Sequence, residues 1–208
     1  MNTRLIFLLA LLAGGSFYFT HWIWVADPWL WIWKGSGVGL LALWAGTQAR
    51  SLDGWLIAAV LALGALGDVL LETHGLSIGA VAFLAGHLLA VGLYLRNREA
   101  PVWHMAVIAT AVTLAAFVIP FQREAAPAIA LYSAGLGLMA GAARISRFPR
   151  YSVALGAMLF VLSDMLIFAR IGFLETSAIP GLLIWPTYFI GQALIAWGVV
   201  TTLARDAR

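Results

Sequence analysis

The sequence predicts an all-α, polytopic membrane protein with about eight transmembrane helices. Hydrophobic residues make up 63% of the 208 residues and charged residues only 10%, far below the roughly 25% charged residues of soluble domains. The mean hydropathy is +0.96. Long apolar runs recur along the chain, and short charged or Pro- and Gly-bearing breaks separate them. These observations predict a single transmembrane domain over residues 1–208.

Each apolar run is long enough for one spanning helix, which needs about 20 residues. The first run continues to Val25 without a small-x-small cleavage site, so we expect a retained helix rather than a signal peptide. The connections are too short for a soluble domain, so any activity must lie within the bundle or at its surface. The predicted spans are about 5–25, 29–48, 54–73, 77–95, 102–121, 126–143, 151–169 and 181–203.

The arginines predict the orientation of the chain in the membrane. Those at the N-terminus, in the second, fourth and sixth loops and at the C-terminus are Arg4, Arg50, Arg96, Arg98, Arg144, Arg147, Arg150, Arg205 and Arg208. The other side has only Arg123 and Arg170. The positive-inside rule therefore predicts that both termini are cytoplasmic, and we expect the membrane to be a bacterial inner membrane. The Trp-rich segment 21–34 then lies at the outer interface.

Several classes of function and site are excluded or disfavoured. The chain has no cysteine, which excludes disulfides and thiolate chemistry. The net charge is +3, but the basic residues are scattered among loop ends, so we expect no nucleic-acid partner. No P-loop, dinucleotide fingerprint or Gly-x-Ser-x-Gly elbow occurs. We also find no His pair or carboxylate triad with the spacing of a metal site, so a bound metal is not expected.

The chain repeats a series of short motifs after four helices. The simplest interpretation is a four-plus-four parallel repeat, with halves at about 1–98 and 99–208 related by an axis along the membrane normal. Three pairs of segments align in the same order: KGSGVGLL from Lys34 with YSAGLGLM from Tyr132, LGALGD ending at Asp68 with LGAMLFVLSD ending at Asp164, and FLAGH at 83–87 with YFIGQ at 188–192.

Polar side chains from different predicted helices fall at one depth. His87 and Gln192 lie near the midplane, and Glu72 lies one helical turn from Asp68, closer to the outer rim. A charged side chain at such depth costs several kcal/mol unless it faces a cavity or a partner. The sequence therefore predicts a polar pocket that opens from the outer half of the membrane. At 1.5 Å per residue, four side chains lie about 20–22 Å from the cytoplasmic edge: Lys34, Asp68, Tyr132 and Asp164.

Purely structural interpretations of these residues remain open at this point. One is an ion pair of Lys34 with either aspartate, and another is a Glu72 side chain that only extends to the interface. His87 and Gln192 are also typical of hydrogen bonds between helices. Tyr132 and Tyr188, taken alone, are typical of the aromatic belts at membrane interfaces.

Five elements occur together in the chain: Lys34 in the second predicted helix, Gly67-Asp68 in the third, FLAGHLLAVGLY in the fourth, LGAMLFVLSDMLIFAR in the seventh and YFIGQALIAWG in the eighth. Their combination resembles the YhhN-like lysoplasmalogenase family over roughly residues 30–200. That family usually has Lys-Pro where this chain has Lys34-Gly35, so the second helix is expected to lack a kink that its relatives have.

The resemblance implies a membrane hydrolase that cleaves the vinyl ether bond of lysoplasmalogens. The products are a fatty aldehyde and glycerophosphoethanolamine or glycerophosphocholine. Protonation of the vinyl β-carbon creates an oxocarbenium ion, water attacks it, and the hemiacetal breaks down. We predict that Asp68 and Asp164 share the acid and base work, as paired carboxylates do in glycosidases.

The predicted partners are a lysophospholipid substrate and the lipid bilayer, without an obligatory protein partner. The scheme requires neither a metal nor a cofactor. Lys34 is expected to tune the aspartates or to bind a phosphate oxygen. The residues predicted to bind the substrate or to position water are Lys34, Glu72, His87, Tyr132, Tyr188 and Gln192.

A transporter is the alternative function, since proton-coupled carriers also combine parallel repeats with intramembrane carboxylates. Helices of such carriers are often broken by Gly or Pro at the midplane, whereas Pro186 lies near the end of its predicted span. A lipid-binding scaffold would have no use for two buried acids. The sequence therefore favours the ether hydrolase.

Overall fold

The computed structural model describes residues 3–207, which form eight α-helices and no β-strand. The predicted all-α class and the number of helices are confirmed. A 3₁₀ turn at Tyr18–His21 continues α1, and a π-helical turn at Arg150–Ala154 leads into α7. Arg208, one of the arginines used to predict the orientation, lies outside the described residues. The helices are α1 Thr3–Phe17, α2 Trp29–Gln48, α3 Leu52–His74, α4 Leu76–Arg96, α5 Trp103–Val118, α6 Ala126–Ile145, α7 Leu155–Ala169 and α8 Ile179–Asp206.

The helices have the lengths and surfaces of a multi-pass membrane protein. Within residues 3–207, six helical stretches are long and apolar enough to cross a membrane: α1 with its 3₁₀ turn, α3, α4, α6, α7 with its π turn, and α8. That α2 and α5 also span remains an expectation, because α2 is rich in Trp and Gly and α5 has only 16 residues. Large apolar side chains face outward, as Leu12 and Val81 do at 68% exposure each. Such a surface suits contact with lipid.

The hairpin of α3 and α4 has clear start and stop signals. The Ser51 side chain accepts a hydrogen bond from the Gly54 amide (3.2 Å) and caps the start of α3. Gly75 is the sole residue between α3 and α4 and has φ +86°, a left-handed conformation that glycine adopts without strain. The short connection makes α3 and α4 neighbours along their length.

Close packing between helices depends on glycines. A Cβ atom on Gly156 of α7 would lie 2.6 Å from the carbonyl oxygen of Gly191 of α8, and the reverse distance is the same. A Cβ atom on Gly37 of α2 would lie 2.7 Å from the Cα atom of Gly14 of α1. Small residues at such positions let helix backbones approach closely. They bring α7 against α8 and α1 against α2, which fixes the helices that carry the polar residues.

The two halves of the chain meet where α6 packs on α4 and where α8 packs on α2 and α3. Within each half, the strongest contacts join α2 with α3, α3 with α4, α5 with α6 and α7 with α8. The four-plus-four repeat itself remains a prediction.

The arginine-rich end of the bundle is joined by hydrogen bonds around Asn97. The Asn97 amide donates to Asp53 of α3 (2.9 Å), and its oxygen accepts from Arg147 Nε in the α6–α7 loop (2.7 Å). Arg96 pairs with Asp53 (2.8 Å), and Arg147 pairs with Asp206 of α8 (2.7 Å). We call these five residues the Asn97 network. It connects α3, α4, the α6–α7 loop and α8 at one end of the bundle.

Candidate active site

The Asp68 carboxylate lies inside the bundle and is held by α8. Asp68 is 1% exposed and accepts a hydrogen bond from the Tyr188 hydroxyl (2.8 Å). Gln192, one turn further along α8, donates its amide to the Tyr188 oxygen (3.4 Å). Gly64, one turn before Asp68, leaves room for this contact, because a Cβ atom there would lie 2.8 Å from Gln192 Nε2. The hydrogen bonds therefore run from Gln192 through Tyr188 to Asp68.

The Asp164 carboxylate has a similar but separate partner. Asp164 is 6% exposed and accepts a hydrogen bond from the Tyr132 hydroxyl of α6 (2.7 Å). The Nε2 atom of His87 in α4 lies 3.2 Å from the same hydroxyl oxygen. Because the Tyr132 hydroxyl donates its one proton to Asp164, His87 donates its Nε2–H to the Tyr132 oxygen. Asp164, Tyr132 and His87 thus form a hydrogen-bonded series across α7, α6 and α4.

Aromatic rings pack between the hydrogen-bonded residues around Asp68 and those around Asp164. The ring of Phe160, one turn before Asp164 in α7, contacts the rings of Tyr188 (centroids 5.1 Å apart) and His87 (4.9 Å). Both contacts are edge-to-face, the arrangement that aromatic pairs prefer. Phe83, one turn before His87, also contacts Phe160 (5.9 Å) and Tyr188 (5.8 Å). A shared aromatic wall therefore joins the two hydrogen-bonded groups, and we call the whole cluster the centre.

Lys34 pairs with Glu72. The Lys34 Nζ atom lies 2.5 Å from Glu72 Oε1, and the two side chains are 14% and 32% exposed. Among the described residues this is the ion pair that Lys34 forms, so its ammonium contacts neither aspartate directly. Gly35 lets α2 and α3 approach beside the pair, because a Cβ atom there would lie 2.7 Å from Val69 Cγ2. Glu72 thus has a specific partner one turn beyond Asp68.

All eight residues singled out in the sequence make contacts in or beside this centre: Lys34, Glu72, Asp68, Tyr188, Gln192, Asp164, Tyr132 and His87. Sequence reasoning missed Phe83 and Phe160. A signal for both was present, since each precedes a polar residue of the centre by four positions and so lies on the same helix face.

The chemical capacity of the centre lies in its two carboxyl groups. In the part of the chain that the structure describes, no three His, Asp or Glu side chains are grouped to bind a metal ion. A buried carboxylic acid can donate a proton, and a buried carboxylate can stabilise a neighbouring cation strongly where water is excluded. Each aspartate has one tyrosine hydroxyl that orients it.

Comparisons with known proteins give one match. No curated protein and no solved structure matches the chain. The family model described as the YhhN family matches residues 29–199, which is most of the chain and contains every residue of the centre. The chain therefore belongs to the YhhN family.

Proposed function

We propose that this protein is a membrane hydrolase that cleaves the vinyl ether bond of a lysoplasmalogen or a related lysolipid. Membership of the YhhN family supports a hydrolase of this type. The observation that carries the proposal is the pair of buried aspartates, Asp68 and Asp164, each bonded to a tyrosine hydroxyl from another helix. Burial of two acids within a membrane bundle is costly and indicates function.

The proposed reaction uses one aspartate as an acid and the other as a carboxylate. The acid transfers its proton to the β-carbon of the vinyl ether, which leaves an oxocarbenium ion. The carboxylate stabilises this cation and takes a proton from the water that attacks it, as in glycoside hydrolysis. The resulting hemiacetal transfers its hydroxyl proton to the ether oxygen and separates into a fatty aldehyde and a glycerophospho-alcohol.

The charged pair at the edge of the centre suits the head group of the lipid. Lys34 and Glu72 are partly exposed and lie one turn beyond Asp68. We propose that Lys34 binds the phosphate and Glu72 the ammonium group, so that a zwitterionic head group replaces each partner of the ion pair. The hydrocarbon chain then extends into the bilayer, and the lipid reaches the centre sideways from the outer leaflet.

The first experiment measures aldehyde release from a lysoplasmalogen by the purified protein in detergent. We expect release of aldehyde from the vinyl ether lipid and none from the matched lysolipid with a saturated ether. In D₂O the aldehyde should carry one deuterium at carbon 2, because the enzyme protonates that carbon. A folded protein that releases no aldehyde would exclude the proposal, and proton or solute transport in liposomes would then support a carrier.

The orientation is tested separately. The Asn97 network places Arg96 and Arg147 at one end of the bundle, which we propose to be cytoplasmic under the positive-inside rule. Reporter fusions should then place both termini in the cytoplasm. An external C-terminus would reverse the leaflet from which the lipid enters but would leave the paired aspartates unchanged.

A further inference from the structure

Each aspartate accepts a hydrogen bond from a tyrosine, and the two sides differ in the residue that hydrogen-bonds to that tyrosine. Behind Tyr188 is Gln192, whose amide nitrogen donates to the tyrosine oxygen. An amide holds this geometry but does not gain or lose protons at ordinary pH. Behind Tyr132 is His87. An imidazole accepts a proton on one ring nitrogen while it donates from the other, so it passes protons between its two neighbours.

A small cavity lies beside both His87 and Gln192. It has a volume of about 20 Å³, and its lining includes His87, Gln192 and Tyr94 among apolar residues of α3, α4, α6, α7 and α8. A site holds a water molecule when roughly 10–15 Å³ is available to the centre of the water and polar partners are present. The cavity satisfies both conditions.

Tyr94 supplies a buried polar atom beside this cavity. The side chain is fully buried at 0% exposure, and its hydroxyl has no hydrogen-bond partner among the described residues. A buried hydroxyl without a partner is costly, so such groups are usually paired with protein or ordered water. Tyr94 follows His87 by two helical turns on the same face of α4, and both line the cavity.

We propose that a water molecule in this cavity bonds to Tyr94 and passes protons through His87 and Tyr132 to Asp164. Asp164 is then the proton donor of the reaction, and Asp68 is the carboxylate that remains charged. This inference rests on the proposed function and adds to it the assignment of the two acids and a path for the proton.

The proton transfers balance over one turnover. After Asp164 gives its proton to carbon, Tyr132 transfers its hydroxyl proton to Asp164 and receives one from His87 Nε2. His87 regains a proton at Nδ1 from the cavity water, which regains it from solvent, and exchange of its ring protons with water then restores the Nε2–H tautomer before the next turnover. Asp68 takes one proton from the attacking water and releases it to solvent, so no net proton is consumed.

The test measures the first turnover separately from the following ones. His87→Gln keeps a group that bonds to Tyr132 but cannot pass a proton. In quenched-flow experiments with saturating lysoplasmalogen, the first equivalent of aldehyde should appear at nearly the wild-type rate, because Asp164 begins protonated. The steady-state rate should then fall by about tenfold or more, since general acid catalysis contributes about 10²–10⁴-fold.

A second variant tests the cavity without disturbing a protein hydrogen bond. Tyr94→Phe removes a hydroxyl that has no protein partner among the described residues, so the fold is expected to remain. The first equivalent of aldehyde should again form faster than the later ones, which is a burst, and the steady-state rate should fall less than in His87→Gln. Tyr151→Phe, at a tyrosine 78% exposed and outside the centre, is the matched control and should show wild-type kinetics.

Each outcome decides the assignment. A first turnover slowed as much as the later ones in His87→Gln would show that His87 only shapes the site, and wild-type kinetics in Tyr94→Phe would exclude the water path. Either result overturns this inference and leaves the proposed hydrolase function unaffected. No aldehyde release by the wild-type protein overturns both.

Discussion

The centres around Asp68 and Asp164 have the same first contact and different surroundings. Each carboxylate is buried and accepts a hydrogen bond from a tyrosine of another helix. The tyrosine beside Asp68 is fixed by an amide, and the Lys34–Glu72 pair lies one turn away. The tyrosine beside Asp164 contacts His87, which lines a small, half-open cavity. Asp68 thus lies beside the charged Lys34–Glu72 pair, which we call the rim, and Asp164 lies beside the residues that we propose to supply protons.

This difference explains how two similar acids can take different roles. The donors behind Asp68 end in an amide that has no proton to pass on, so this carboxylate keeps its charge and can stabilise a cation. A carboxyl group beside an imidazole can be reprotonated after each reaction. The comparison predicts that equivalent substitutions on the two sides will not have equivalent kinetic effects.

The largest effect is expected from removal of the carboxylates. Asp68→Asn and Asp164→Asn should each lower kcat by about 10²–10⁴-fold with little change in lipid binding, because Asn retains the hydrogen bond from tyrosine but not the acid or the charge. The double variant should be no slower than the slower single variant, since residues that act as a unit are not additive.

Glu124→Gln, an exposed acid in the α5–α6 loop, is the control for loss of a negative charge. Wild-type rates in either folded Asn variant would show that this aspartate has no part in the chemistry.

The second effect separates the two tyrosines. Tyr188→Phe and Tyr132→Phe each remove one hydrogen bond to a buried carboxylate, worth about 1.5–3 kcal/mol or roughly 10- to 100-fold in rate. Tyr132→Phe also interrupts the path from His87, so rapid kinetics should show a burst in this variant and a uniformly slow reaction in Tyr188→Phe. Identical time courses for the two variants would remove the distinction between the sides.

The third effect concerns the rim, which only the Asp68 side has. Lys34→Met should raise KM by about tenfold with a small change in kcat, because it removes a charged contact to the phosphate. Glu72→Gln should raise KM less, by about two- to fivefold, since its side chain is more exposed. Arg170→Gln removes an exposed positive charge outside the centre and should change neither constant. A fall in kcat alone in Lys34→Met would instead indicate that Lys34 acts on the aspartates.

The smallest effect is expected from the glycine that accommodates Gln192. Gly64→Ala places a methyl group 2.8 Å from Gln192 Nε2, so Gln192 must move and kcat should fall several-fold, with a loss of about 1–3 kcal/mol in the free energy of unfolding. Gly39→Ala meets only Ala65 Cβ at 3.8 Å and should be tolerated. Equal losses in the two variants, measured by activity and detergent unfolding, would indicate a general effect of glycine on the helices.

The helices were predictable because long apolar runs are a strong and local signal. The residues at which the helices begin and end were less predictable. The run predicted at 5–25 forms an α-helix only to Phe17, followed by a 3₁₀ turn to His21. Trp and Ile in the interfacial segment are as apolar in a loop as in a helix, so hydropathy does not mark this boundary. Conversely, α8 begins at Ile179, which places Pro186 inside the helix rather than near its end.

The meeting of polar residues from different helices was also predictable, because the rise per residue of a helix is constant and sets residues of neighbouring helices at one level. Tyr132 and Asp164 were placed at one level and do form a hydrogen bond. The choice of partner was not predictable, since it depends on how each helix is rotated about its axis. The sequence is compatible with an ion pair of Lys34 with either aspartate, but Lys34 bonds to Glu72, because α2 presents it toward the next turn of α3. The role of Phe160 depends on contacts with α4 and α8, which the sequence does not specify.

The Asn97 network has a mechanical consequence for the whole bundle. Separation of the helices at that end would take from the buried amide of Asn97 its bonds to both Asp53 and Arg147, at about 1–3 kcal/mol for each lost contact. The Lys34–Glu72 pair toward the other end is partly exposed, and solvent or a lipid head group can replace its contact at little cost. Thermal motion of the helices should therefore pivot about the Asn97 end, with the largest displacements at the rim beside Asp68.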